Sequence, residues 1–119
     1  MSIVAGLAVL LVAALHAYFL VLEMFLWTKP QGLKTFGLTP EMAKATASLA
    51  ANQGLYNGFL AAGLLWGLLL GPAGFGIKVF FLLCVIVAGV FGAATAKRSI
   101  LYIQALPALV TLLLVWLAR

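Results

Sequence analysis

The sequence predicts an all-α polytopic membrane protein with four transmembrane helices in an antiparallel bundle. Of its 119 residues, 66% are hydrophobic and 8% are charged, whereas soluble domains average about 45–50% apolar and about 25% charged residues. Seven basic and two acidic side chains cannot cover the surface that a small globule exposes. A disordered chain is also excluded, because disorder requires low hydrophobicity.

Four apolar segments are each long enough to cross a hydrocarbon core of about 30 Å as a helix. They cover residues 3–27, 40–70, 77–96 and 100–118. Helices are expected because the backbone must satisfy its own hydrogen bonds in lipid. The first segment has no basic N-terminal region and is longer than the apolar core of a signal peptide. We therefore expect a single domain over residues 1–119.

Turn and cap residues separate the four segments. Thr39, Pro40 and Glu41 are typical of a helix start, with a capping hydroxyl, a first-turn proline and an acidic residue. Residues 28–44 are otherwise expected to form a loop at the membrane interface, and residues 71–76 form a tight Gly/Pro turn.

The basic residues predict the topology. Those of the first and third loops are Lys29, Lys34, Lys44, Lys97 and Arg98, and those of the other side are Lys78 and Arg119. Because cytoplasmic loops carry the excess of basic residues, both termini are expected outside a bacterial inner (plasma) membrane. The basic residues form no stripe or patch, so no nucleic-acid partner is expected.

Polar residues inside the spans are the candidate site, because ionisable groups in a membrane are costly and usually functional. His16 and Glu23 are seven residues apart on one helix, so they differ by about 20° in direction and about 10 Å in height. Depth along the helices places the polar residues of all four spans in the cytoplasmic half, which predicts a polar pocket there. The predicted ligand-binding residues are His16, Glu23, Asn52, Gln53, Tyr56, Asn57, Thr95 and Gln104.

The residue set excludes several kinds of chemistry. One histidine, one cysteine and one buried glutamate cannot form a tetrahedral structural zinc site. No glycine-rich nucleotide-binding motif occurs, so we expect neither a metal nor a cofactor. Glu23 and His16 remain candidates for acid–base chemistry on a ligand held between them.

Two ladders of small residues favour close packing of helices. Gly54 and Gly58 form a GxxxG motif, and Ala88 and Gly92 repeat the same spacing in the third segment. Because such faces allow two backbones to approach closely, we expect a homo-oligomer through them, with membrane lipids as the other partners.

Four stretches of the sequence resemble a known family. They are residues 16–27 (HAYFLVLEMFLW), 52–64 (NQGLYNGFLAAGL), 88–95 (AGVFGAAT) and 104–108 (QALPA). Together they resemble the domain-of-unknown-function family 1304, a group of small bacterial membrane proteins. The resemblance covers nearly the whole chain and implies a four-helix integral membrane protein. It implies no activity.

Three functions remain open at this point. The first is a protein that binds or transports a small molecule through the polar pocket. The second is a membrane-embedded enzyme that uses Glu23 and His16 on a lipid-like substrate. The third is a structural or interaction subunit in which the polar residues only hold helices together. Replacing Glu23 by Gln distinguishes them, because only the third predicts effects confined to stability or assembly.

Overall fold

The computed structural model describes residues 2–119, and residue 1 of the predicted domain lies outside them. These residues are helical and include no strand, which confirms the all-α class. The α-helices are α1 (Ile3–Met24), α2 (Pro30–Phe36), α3 (Pro40–Leu69), α4 (Phe75–Thr95) and α5 (Leu106–Leu117).

The predicted interfacial loop contains a short helix, α2, that the sequence interpretation missed. Pro30 occupies its first turn, where a missing N–H costs no hydrogen bond. Gly37 ends it with a left-handed φ of 64°, and the backbone N–H of Leu38 donates to the Leu33 carbonyl at 2.9 Å. This is the glycine-terminated end that many helices share. Helix α1 ends at Met24, three residues earlier than predicted.

Helix α3 begins where its cap residues predict. The Thr39 hydroxyl accepts a hydrogen bond from the backbone N–H of Met42 at 3.2 Å. Pro40 is the first helical residue and Glu41 lies in the first turn. The N-terminal signal is local, because one side chain satisfies a backbone donor of the same turn.

The fourth predicted segment is not one regular helix. A π-helical turn, Leu101–Ala105, precedes α5, and Pro107 lies in the first turn of α5. Proline has no N–H to donate to the preceding turn, and wide turns of this kind occur as single insertions in helices. The turn brings its backbone close to α4, since a Cβ on Gly89 would stand 2.6 Å from the Ala105 nitrogen.

Within residues 2–119, two helical stretches are long and apolar enough to cross a membrane. They are Ile3–Met24 and Gly71–Thr95, the latter including a 3₁₀ turn at Gly71–Gly74. Only 28% and 22% of their most apolar windows are buried, whereas the core helix of a soluble protein is mostly buried. Leu101–Leu117 is a shorter apolar helix. Association with a membrane is therefore indicated by two of the four predicted spans.

The chain divides into two compact units. The Glu23 unit comprises residues 14–61, which are the end of α1, all of α2 and the first part of α3. The Lys78 unit comprises residues 2–13 and 62–119, which include α4 and α5. The prediction of one four-helix domain stays a prediction.

Candidate functional site

The centre of the Glu23 unit is a hydrogen bond between α1 and α3. Glu23 is half-buried near the end of α1, and Asn57 is buried in the middle of α3. The Asn57 amide nitrogen Nδ2 donates to Glu23 Oε1 at 2.5 Å. Two of the predicted site residues are thus in direct contact, and the hydrogen bond joins a carboxyl group to a neutral amide.

Glycines on α3 make this contact possible. A Cβ added to Gly54 would stand 2.7 Å from Met24 Cγ and 3.1 Å from Glu23 Cβ. A Cβ added to Gly58 would stand 2.7 Å from Leu20 Cδ1. The GxxxG face therefore packs against α1 of the same chain, and Asn57 lies one turn along that face. Its predicted use between copies of the chain stays a prediction.

A second polar contact joins the same two segments closer to α2. Trp27 Nε1 donates to the Thr46 hydroxyl at 3.1 Å, and that hydroxyl donates to the Met42 carbonyl at 2.8 Å. The Trp27 ring also packs on Phe36 of α2, with ring centroids 4.8 Å apart. Trp27 thus fixes α2 against the start of α3.

His16 is fully buried in the Glu23 unit. Its ring meets the Phe19 ring edge-on, with centroids 5.3 Å apart and planes inclined by 73°. Seven residues separate it from Glu23, which is about two helical turns or about 10 Å along α1. The predicted acid–base action of this pair on one ligand stays a prediction.

The predicted ligand-binding residues of α3 differ in burial. Asn57 is buried, whereas Asn52, Gln53 and Tyr56 are exposed. The buried positions of this part of α3 recur every three, four or seven residues and are mostly small: Ala43, Ala50, Gly54, Asn57 and Ala61. That spacing places Asn57 on the small-residue face rather than with the other polar residues.

Two predicted site residues belong to the Lys78 unit. Thr95 is exposed at the end of α4, and its hydroxyl donates to the Phe91 carbonyl of its own helix at 2.7 Å. Gln104 is half-buried in the π-helical turn. Their predicted place in one pocket with Glu23 stays a prediction. In residues 2–119 no three His, Cys, Asp or Glu side chains come close enough to hold a metal ion.

Lys78 is the ionisable residue that sequence reasoning missed. It was counted among the residues outside the membrane, yet it lies in the first turn of α4 and is only 2% exposed. A Cβ added to Gly67 would stand 2.7 Å from the Cγ of Lys78. The sequence spacing is consistent with this burial. The buried positions of α4 follow helical spacing: Lys78, Leu82, Val85 and Gly89. Sequence reasoning gave Lys78 a role in topology only and did not predict this burial.

The comparisons with known proteins cover almost the whole chain. The family described as "Protein of unknown function (DUF1304)" matches residues 10–116. The chain belongs to the DUF1304 family. This DUF1304 protein is 27% identical over 106 residues to the uncharacterised protein YpaA of Lactococcus lactis subsp. lactis (strain IL1403), covering 87% of the chain and 89% of the relative. No solved structure matches it. The family resemblance is confirmed, and neither description assigns an activity to a relative.

Proposed function

We propose that this DUF1304 protein is a multi-pass protein of the bacterial plasma membrane that binds a small organic cation at Glu23 and transports it. The observation that carries the proposal is the half-buried Glu23 carboxyl group, whose hydrogen-bond partner is the neutral amide of Asn57. A neutral partner orients a carboxylate without cancelling its charge.

The geometry of the carboxyl group suits a cationic ligand. An ionised carboxylate has two oxygens with about four acceptor positions, and Asn57 Nδ2 occupies one position on Oε1. Apolar atoms of Leu20 and Met24 lie on the same side of α1 against Gly58 and Gly54. Low-dielectric surroundings strengthen the attraction between opposite charges, so an alkyl or aryl cation gains from both the charge and the apolar contacts.

The four-span topology is part of the same proposal. Helix α3 has 30 residues and is about 45 Å long at about 1.5 Å per residue, which exceeds a hydrocarbon core of about 30 Å. Asn52, Gln53 and Asn57 lower its apolar character. The distribution of basic residues supports cytoplasmic first and third loops, with both termini outside.

A structural role is the second candidate, and the same contact favours it. The Asn57–Glu23 hydrogen bond and the glycine contacts join α1 to α3, and polar bonds of this kind stabilise packing between membrane helices by about 0.6–2 kcal/mol. In that case Glu23 serves assembly, and no ligand is expected at the carboxyl group.

Replacing Glu23 by Gln separates the two candidates, because glutamine keeps the volume and an acceptor for Asn57 but loses the charge. The probes are radiolabelled tetraphenylphosphonium and choline, measured by equilibrium binding to purified protein in uncharged detergent. We expect E23Q to weaken binding of at least one probe about tenfold or more. Glu41, the other acidic residue, is exposed in the first turn of α3, so E41Q is the matched control and should bind as the original chain does.

Cation binding at Glu23 would be rejected if the original chain bound neither probe, or if E23Q bound the probes as tightly as the original chain does. Either result would favour the structural role. Transport is tested next in liposomes that contain the protein and an outward gradient of the bound probe. Efflux that depends on Glu23 but not on Glu41 supports transport, and binding without efflux restricts the function to binding.

A further inference from the structure

One face of α3 that carries polar side chains is exposed in the structure. The buried face of the same helix, which includes Gly54 and Asn57, packs against α1. At about 100° per residue, Asn52 lies on nearly the opposite side of the helix from these two residues. The residues around it on that side are all exposed and form the Asn52 face: Ala45, Ser48, Asn52, Tyr56 and Phe59.

Asn52 lies close to the middle of α3. The helix runs from Pro40 to Leu69, so Asn52 is about 4 Å from its midpoint at about 1.5 Å per residue. In the four-span topology of the proposed function, on which this inference rests, that position is deep in the hydrocarbon core. Water is absent at that depth, and an amide group without a hydrogen-bond partner is strongly unfavourable there.

A second copy of the chain supplies the chemistry that the Asn52 side chain requires. A primary amide has two donors and an acceptor oxygen, so two asparagines can each donate to the other. Copies inserted with the same topology place Asn52 at the same depth, and a two-fold axis brings equivalent residues together. Lipid chains have neither donors nor acceptors. A symmetric pair therefore satisfies both amides without a further molecule.

The neighbours of Asn52 on this face suit contact between two helices. Ala45 and Phe59 lie seven residues before and after it. Ser48 and Tyr56 lie four residues before and after it. Both spacings are typical of the seam between two packed helices, in which a single asparagine fixes the register. The small residues allow close approach of the backbones, and the two rings, 51% and 56% exposed, supply apolar contact area.

We propose that two copies of this chain dimerise through the Asn52 face, with the Asn52 amides of the two copies hydrogen-bonded to each other. Gln53 is exposed as well, but it lies about 100° around the helix from Asn52, at the edge of the face. In this dimer Gly54 and Gly58 stay against α1 of their own chain. The interface therefore differs from the one that the GxxxG motif predicts.

Sedimentation equilibrium of the full chain in a density-matched, uncharged detergent measures the dissociation constant of the dimer. The variant is N52L, which removes the donors and the acceptor. The matched control is Q53L, which removes the neighbouring exposed amide at nearly the same depth. We expect the original chain to dimerise and N52L to weaken the dimer about tenfold. Q53L should weaken it less than about threefold, because its side chain lies about 100° away from the centre of the face.

Cysteine cross-linking in membranes tests which residues meet in the dimer. The variant C84A lacks the single cysteine of the chain, and A45C in that background adds one on the Asn52 face. A disulfide requires Cα atoms within about 7 Å of each other, so oxidation should link A45C into dimers. The matched control is A17C, an exposed alanine of α1, which should stay unlinked.

The inference is overturned if the original chain is monomeric, if Q53L weakens the dimer as much as N52L does, or if A17C cross-links as efficiently as A45C. If N52L does not fold, as judged by helical circular dichroism, the comparison of A45C with A17C decides.

Binding of the cation probes is measured on the same samples, which separates this inference from the proposed function. A monomer whose cation binding depends on Glu23 would reject only the dimer. A dimer that depends on Asn52 but binds neither probe would reject only the cation site.

Discussion

Glu23 and Lys78, after which the two units are named, have different surroundings. Glu23 is half-buried and bonded to the neutral Asn57 amide. Lys78 is almost completely buried and lines a cavity with a second cation, Arg119. The Asn57 amide of a neighbouring helix is the partner of Glu23, whereas the Lys78 side chain packs against Gly67 at the start of α4.

The glycines of the two units also differ in what they face. In the Lys78 unit a Cβ on Gly74 would overlap the backbone carbonyl of Gly67. In the Glu23 unit a Cβ on Gly58 would meet only the end of the Leu20 side chain. A backbone atom in a packed helix cannot move far, but a leucine can change its rotamer. The tolerance of each unit to added volume should therefore differ.

The largest expected effect tests that difference. We expect G74A to destabilise the protein by about 3 kcal/mol, because the new methyl group overlaps backbone atoms. G58A should change stability by less than about 1 kcal/mol, since the better helix propensity of alanine offsets the displacement of Leu20. Unfolding midpoints in a series of mixed detergent micelles measure both. Similar losses in the two variants would contradict the contrast between the units.

Removing the acceptor of the Asn57 amide should have the next largest effect. E23A leaves a buried amide without Glu23 Oε1 and should cost about 1–2 kcal/mol. E23Q should cost less than half of that, because the amide oxygen of glutamine accepts the same bond. The same unfolding series applies, with E41Q as the control. A loss in E23Q as large as in E23A would show that the charge itself stabilises the Glu23 unit.

Removing the charged group of Lys78 should affect stability less than removing the carboxyl group of Glu23. In uncharged detergent we expect K78M to change stability by no more than about 1 kcal/mol, because methionine keeps an unbranched side chain against Gly67 and removes the cost of burying an ammonium group. K97M is the exposed control and should have no effect. A large loss in K78M alone would mean that its hydrogen bonding is needed for the fold.

The smallest expected effect concerns the contact between Trp27 and Thr46. W27F keeps a ring against Phe36 but removes the Nε1 donor, and it should cost about 0.6 kcal/mol. T46V removes the acceptor. A double-mutant cycle isolates their interaction, and a coupling energy near zero would show that Trp27 stabilises α2 through ring packing alone.

Much of the helical structure is readable from short stretches of sequence. Thr39, Pro40 and Glu41 predict the start of α3 because capping involves residues within one turn. Helix α2 was missed although Pro30 and Gly37 mark its ends, since seven residues carry too little hydropathy pattern to distinguish a short helix from a loop. The π-helical turn before α5 was missed as well, because hydropathy does not register one additional residue per turn.

The candidate site was predictable only in its components. Glu23 and Asn57 stand out as polar residues in apolar segments, but the sequence interpretation placed Asn52, Gln53 and Tyr56 in the same site as Asn57. The structure assigns Asn57 to the face of Gly54 and leaves the other three exposed. The small residues decide the rotation of α3, because only they allow the α1 backbone to approach.

By itself the sequence determined the helical class, the capped start of α3, the family and the presence of a carboxyl group in an apolar segment. These depend on hydropathy and on hydrogen bonds within a single turn. Only the tertiary structure decided that Asn57 meets Glu23 and that Lys78 is buried beside Gly67. Both outcomes depend on which helix face packs against a neighbour, and that choice is made by the shapes of two elements together.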